Sequence, residues 1–122
     1  MALDRPDPGL TRPTFHLVPV AVWDASDPAG PYEAEAFARE GFIHCTDGVD
    51  ALGATFDRHY QSDPRPFLAL TVDLDVLDVP WRFDVPGSPY PHIYGSIPRA
   101  AIRAVSRVRR MSDGRFDALV PV

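Results

Sequence analysis

The chain has no lysine and no asparagine, and only one cysteine. All 12 basic positions are arginine, so no side-chain amine is present to form a Schiff base. Together with abundant alanine, aspartate and proline, this is the imprint of a G+C-rich bacterial genome and is not read as mechanism. The lone Cys45 excludes an intramolecular disulfide. Positive charge is also short: 12 basic residues face 17 acidic ones, for a net charge of −5. A surface of that sign does not draw in a phosphate backbone, which excludes general nucleic-acid binding but leaves room for a local basic pocket. No run approaches the ~20 apolar residues of a membrane span. The first residues are polar and proline-rich, unlike a signal peptide, so the expected location is the cytoplasm. Glycine-rich phosphate loops and a Gly-x-Ser-x-Gly elbow are missing. No His or Cys pair has zinc-like spacing, and no metal is expected.

What is present fits one α+β domain. The 122 residues suffice for one core and not two. Residues 1–13, with three prolines, read as a flexible leader before a domain over 14–122. Thr14 to Val18 is a short β run that Pro19 ends, and Val20 to Ser26 suits a short helix burying Val22 and Trp23. Tyr32 to Arg39 reads as a helical turn or a lip over a pocket. After Gly41 comes a second β run, Phe42 to Thr46, then a helix from about Gly48 to Tyr60 capped by Thr46 or Asp47. Val49, Leu52, Phe56 and Tyr60 form its apolar stripe. That stripe is expected to pack on Leu68, Leu70 and Val72 of the strongest strand, Phe67 to Leu74. Shorter strands follow around Trp81, around His92, from Ala101 to about Arg109, and from Phe116 to Val120 as an edge. Short strands with one main helix indicate a small split antiparallel or mixed sheet, not a doubly wound one.

Histidine sits inside three apolar, strand-like runs: Phe15-His16-Leu17, Phe42-Ile43-His44-Cys45-Thr46 and Pro91-His92-Ile93-Tyr94. A neutral imidazole offers one donor and one acceptor and titrates near physiological pH. Each one is equally readable as a satisfied core or edge histidine. Asp84, after Trp81-Arg82-Phe83, is either a base or cation stabiliser or a surface turn residue. The hydroxyls of Thr46 and Tyr94 lie close in sequence to His44 and His92 and suit a polar ligand. Alternation along a strand turns Cys45 away from His44 and Thr46, so Cys45 reads as a buried small hydrophobe. His44 and His92 are expected on one pocket wall. The Arg107, Arg109 and Arg110 cluster reads as a solvated strand edge.

The order of these marks resembles the bacterial domain-of-unknown-function family 952. It runs aromatic-His-Leu, Trp23, Glu40-Gly41-Phe42-Ile43-His44, Leu70-Thr71-Val72-Asp73, Trp81-Arg82-Phe83-Asp84, then Pro91-His92-Ile93-Tyr94-Gly95. Cys45-Thr46 stands where Leu-Ser is usual, and Asp84 where glutamate is. The strand–helix–strand order is in turn similar to that of the ADP-ribosyltransferase superfamily, especially its rifamycin-modifying and RNA 2′-phosphotransferase branches. That likeness implies a sheet split around a cleft for NAD as substrate. In that scheme His16 bonds a ribose, His44 with Thr46 sits by the nicotinamide ribose, and Asp84 stabilises positive charge at the breaking bond. His92 is the base, and Arg82 or Arg39 holds the pyrophosphate. Three functions stay open: an NAD- or nucleotide-linked transferase, another small-molecule enzyme with His44 and His92 as acid and base, or a non-catalytic ligand-binding module. The partner in each is a small molecule or nucleotide, and the oligomeric state is left open.

Overall fold

The computed structural model describes residues 10–122, so residues 1–9 of the expected leader lie outside the described residues. The order is β1 (Pro13–Pro19), α1 (Val20–Ala25), α2 (Phe37–Glu40), β2 (Ile43–His44), α3 (Val49–Tyr60), β3 (Phe67–Asp73), β4 (Trp81–Phe83), β5 (Pro91–Ile93), β6 (Ile102–Arg110) and β7 (Phe116–Pro121). The strands form two sheets, ordered β1-β3-β6-β7 and β2-β5-β4, and every pair is antiparallel. The architecture is α+β with one main helix, as the sequence pattern indicates. Among the described residues no helix is long and apolar enough to cross a membrane.

The large sheet is buried on both faces at β3, and a period of two sorts its side chains between two cores. Leu68, Leu70 and Val72 join Ile43, Cys45, Ile93 and Ile97 beneath the small sheet. Phe67 and Ala69 face the other way and pack with Leu52 and Phe56 of α3. The expected packing of the helix on Leu68, Leu70 and Val72 is therefore corrected. The helix takes the odd-numbered face, and the small sheet takes the even-numbered one.

Two further expectations change at the start of α3. Neither Thr46 nor Asp47 caps it: Gly48 occupies the cap position at φ 84° with no side-chain cap bond. Thr46 instead exchanges backbone bonds with Phe15, and Asp47 pairs with Arg12 at 2.9 Å. Val49 begins the helix 45% exposed, so the buried stripe starts at Leu52. The arginine cluster also sits differently. β6 lies inside the sheet and β7 forms its edge. Arg110 caps the carbonyls of Gly114, Arg65, Tyr60 and Gln61.

Asp73, fully buried at the end of β3, accepts the N–H groups of Thr11 (3.1 Å) and Arg12 (3.0 Å) and so pins the chain entering β1. His16 joins the two sheets. It is 6% exposed on β1, its Nδ1 lies 2.7 Å from the carbonyl of His44, and its Nε2 lies 2.9 Å from the Tyr32 hydroxyl. Burial lowers its pKa from 6.5 to about 4, against the bond to the His44 carbonyl, which raises it. The ring is therefore neutral at pH 7. A carbonyl only accepts, so Nδ1 carries the proton and Nε2 accepts from Tyr32.

Two stability measurements follow. Leu70 is fully buried in the central strand, so Leu70→Ala should cost ~2–5 kcal/mol in urea denaturation, and a loss near zero contradicts the assignment. The unfolded chain protonates His16 near 6.5 and the folded chain only near 4, so the unfolded state binds the extra proton between them. His16 then contributes stability that is complete above pH 6.5 and falls by about 3 kcal/mol on acidification to pH 4. Denaturation of the wild type and His16→Gln at both pH values should show this component only in the wild type.

Candidate active site

The outer face of the small sheet is built by the same alternation that fills its core. Ile43 and Ile93 pair across β2 and β5 and turn inward, and Trp81 pairs with Ile93 from β4. One residue on, His44, His92 and Arg82 form a row across all three strands and face outward. The two imidazoles meet edge to face with centroids 5.2 Å apart. Phe42 stacks on His92 at 4.3 Å and meets His44 edge-on at 4.8 Å.

Each imidazole is held by a carboxylate. Asp84, one residue past β4, accepts from His92 Nδ1 at 2.7 Å. The same oxygen accepts from the Tyr94 hydroxyl, and the other accepts from Arg82 Nε at 2.7 Å. These bonds, from Tyr94 first and then Arg82 and His92, hold the Asp84 carboxyl far below the usual carboxylate range. An ionised carboxylate only accepts, so His92 donates from Nδ1, and in the neutral ring that leaves Nε2 as the acceptor. The Arg82 guanidinium lies over the Tyr94 ring at 4.1 Å and closes this cluster. On the other side, Glu40 Oε1 lies 3.1 Å from His44 Nε2. Gly41, at φ 80°, ends α2 in the left-handed conformation, and the turn returns the chain so that Glu40 and His44 meet.

Both histidines border a cleft of about 730 Å³. Its walls are β1 with His16, the segment from Tyr32 to Glu40, Thr46, the last two turns of α3, and Tyr90 with His92. His44 is the more open of the pair, 58% exposed against 17% for His92. His16 lies at the cleft with both ring nitrogens engaged. Thr46 is buried in the wall, and Cys45 is buried in the core with its thiol pKa pushed up by burial. Asp84, Arg82 and Tyr94 do not line the cleft; they stand behind His92. Among the described residues no three His, Cys, Asp or Glu side chains are grouped to hold a metal ion.

The sequence reading missed Glu40, Phe42, Arg58 and Tyr90 as members of this site. A legible signal existed for Arg58. Thr55, Arg58 and His59 follow the i, i+3, i+4 spacing of one helix face, beside the buried face of Leu52 and Phe56. All three line the cleft.

Two adjacent imidazoles, His92 held through Nδ1 by Asp84 and His44 through Nε2 by Glu40, suit proton transfer at the cleft. No curated protein matches the chain significantly. Among solved structures, its fold is like that of protein CC0527 from Caulobacter crescentus. The crystal structure of that protein aligns with a TM-score of 0.69 at 19% identity, over 86% of this chain and 93% of the other. Its solution NMR structure aligns at 0.65 and 21% identity, over 84% and 90%. The family model described as "Protein of unknown function (DUF952)" matches residues 17–105, from β1 into β6 and through both histidine strands, and the chain belongs to that family.

Proposed function

We propose that this chain is a nucleotide-linked group-transfer enzyme that takes NAD or a close relative as donor substrate, with His92 as the base for the acceptor. One observation carries the reading: His92, its Nδ1 committed to Asp84, borders a cleft of about 730 Å³ with Nε2 uncommitted. A cleft of that size suits a ligand larger than a single sugar or amino acid. Histidines from the first two strands border it, the placement that a likeness to the ADP-ribosyltransferase superfamily would imply. In this scheme the bond from ribose C1′ to the nicotinamide nitrogen breaks and its electron pair leaves with nicotinamide. The acceptor's oxygen or nitrogen bonds to C1′ and its proton passes to His92 Nε2. Asp84 stands behind His92 and orients it, so the carboxylate nearest the developing positive charge is Glu40, at the cleft wall beside His44. His16, with both nitrogens engaged, braces the cleft floor.

A second reading has its own observation. The rings of His44 and His92 are 5.2 Å apart and each is paired with a carboxylate. Such a pair suits acid–base catalysis on a substrate without a dinucleotide.

An NMR titration of the labelled protein with NAD, ADP-ribose and nicotinamide separates the two. NAD and ADP-ribose should give saturable shifts at His44, Thr46 and His92. In the presence of an acceptor, His92→Ala should slow nicotinamide release by on the order of 10²–10⁴-fold while NAD still binds. No shifts at millimolar NAD would falsify the dinucleotide reading and leave the acid–base pair.

A further inference from the structure

We propose that Arg58, Tyr90 and Thr55 form a phosphate-binding subsite in the cleft, next to His92, so that the substrate carries a phosphate or diphosphate group. This rests on the functional reading above and names the chemistry its ligand must present.

The chain is acidic, with a net charge of −5, and its arginines are mostly occupied. Arg12, Arg65, Arg82, Arg109 and Arg115 pair with carboxylates. Arg99 and Arg110 cap backbone carbonyls. The two arginines that line the cleft, Arg39 and Arg58, have no carboxylate partner among the described residues; Arg58 is the one joined to a hydroxyl, that of Tyr90, 3.5 Å from Nη2. Nearby negative charge is already committed. Asp57, next to Arg58 on α3, accepts the N–H of Phe116 at 2.7 Å. On the cleft wall Glu40 faces His44 at 3.1 Å and Glu35 faces Arg65 at 3.3 Å. Among the described residues no carboxylate neutralises Arg58, and its helix face opens on the cleft.

Two hydroxyls complete the donor set. Thr55 lies one helical turn before Arg58. Its Oγ1 is buried and has no hydrogen-bond partner, although it lies near enough to the Tyr90 phenol to help lower that group's pKa after Arg58. A buried hydroxyl without a well-formed hydrogen bond is unfavourable, so its retention calls for a reason. A guanidinium, a phenol and an aliphatic hydroxyl on one wall offer more donors than a planar carboxylate needs, and they suit a tetrahedral anion.

The place of this group relative to the base is set by backbone. Pairing past β5 continues through Cys45 N–H to Pro91 and Asp47 N–H to Pro89, so the chain stays extended there. Tyr90 therefore faces the same side as His92, two residues or about 7 Å along the strand. A phosphate at Arg58 and Tyr90 positions the adjoining atoms of a ligand beside His92 and His44.

The test uses inorganic pyrophosphate on the full chain, followed by NMR. Saturable shifts should cluster at Thr55, Arg58 and Tyr90, with affinity falling as salt is added. Arg58→Gln, on an exposed position, should weaken binding at least about 10-fold. Thr55→Val should weaken it several-fold without loss of thermal stability, a readout that survives if the arginine variant folds poorly. Arg107→Gln, away from the cleft, should bind as the wild type does. Shifts centred elsewhere, or equal affinity in Arg58→Gln and the wild type, overturn the subsite. The two readings fail separately. Pyrophosphate bound at Arg58 with no binding of NAD or ADP-ribose sinks the dinucleotide alone. NAD bound equally well by Arg58→Gln sinks the subsite alone.

Discussion

The bond from His16 Nδ1 to the carbonyl of His44 is the constraint on which the site depends. His16 belongs to the large sheet and His44 to the small one. Only the neutral ring, protonated at Nδ1, can donate there while accepting from Tyr32, and burial keeps the ring neutral. Backbone bonds between Phe15 and Thr46 extend the same junction by one residue on each side. With β2 held in this way, its two residues have one register against β5. A slip of one residue would exchange Ile43 with His44 and send the imidazole into the core. The two-residue strand is too short to specify that register alone, and the buried histidine on the neighbouring sheet specifies it instead.

From this junction the chemistry divides by depth. The layer nearest the ligand is His44, His92 and the cleft wall. Behind it Asp84, Tyr94 and Arg82 form a cluster joined by hydrogen bonds to the Asp84 carboxylate and by the guanidinium over the Tyr94 ring. That cluster sets the orientation and tautomer of His92 and leaves the ring free to act. Glu40 does the corresponding work for His44 from the end of a four-residue helix. The two carboxylates come from different sides of the sheet, which keeps their charges apart while the rings approach. On the cleft wall Arg58, without a carboxylate partner among the described residues, adds positive charge beside the two rings.

Much of this was legible because alternation on strands is strict. His44 and His92 shared a face, and Cys45 turned inward, because a period of two permits little else once Ile43 and Ile93 are buried. The α+β class followed from short strands around one long helix. Other features depended on contacts far apart in sequence. α3 settled on Phe67 and Ala69 because the small sheet had claimed Leu68, Leu70 and Val72, and that competition leaves no local trace. Glu40 meets His44 only because Gly41 reverses the chain. The sequence offers Asp84 as either a base or cation stabiliser or a turn residue, and its place behind His92 depends on the pairing of β4 with β5. Tyr90 and Arg58 lie 32 residues apart, and only the folded cleft joins them.

The central claim is that two oppositely oriented imidazoles face one cleft, with His92 poised as base. The most direct measurement is long-range ¹H–¹⁵N correlation of the histidine rings, at a pH where they are neutral. The account predicts that His92 carries its proton on Nδ1, donated to Asp84, with Nε2 bare. It predicts the reverse for His44, with the proton on Nε2 toward Glu40. A His92 ring protonated at Nε2 in the neutral state would contradict it, because the nitrogen assigned to take the proton would already hold one.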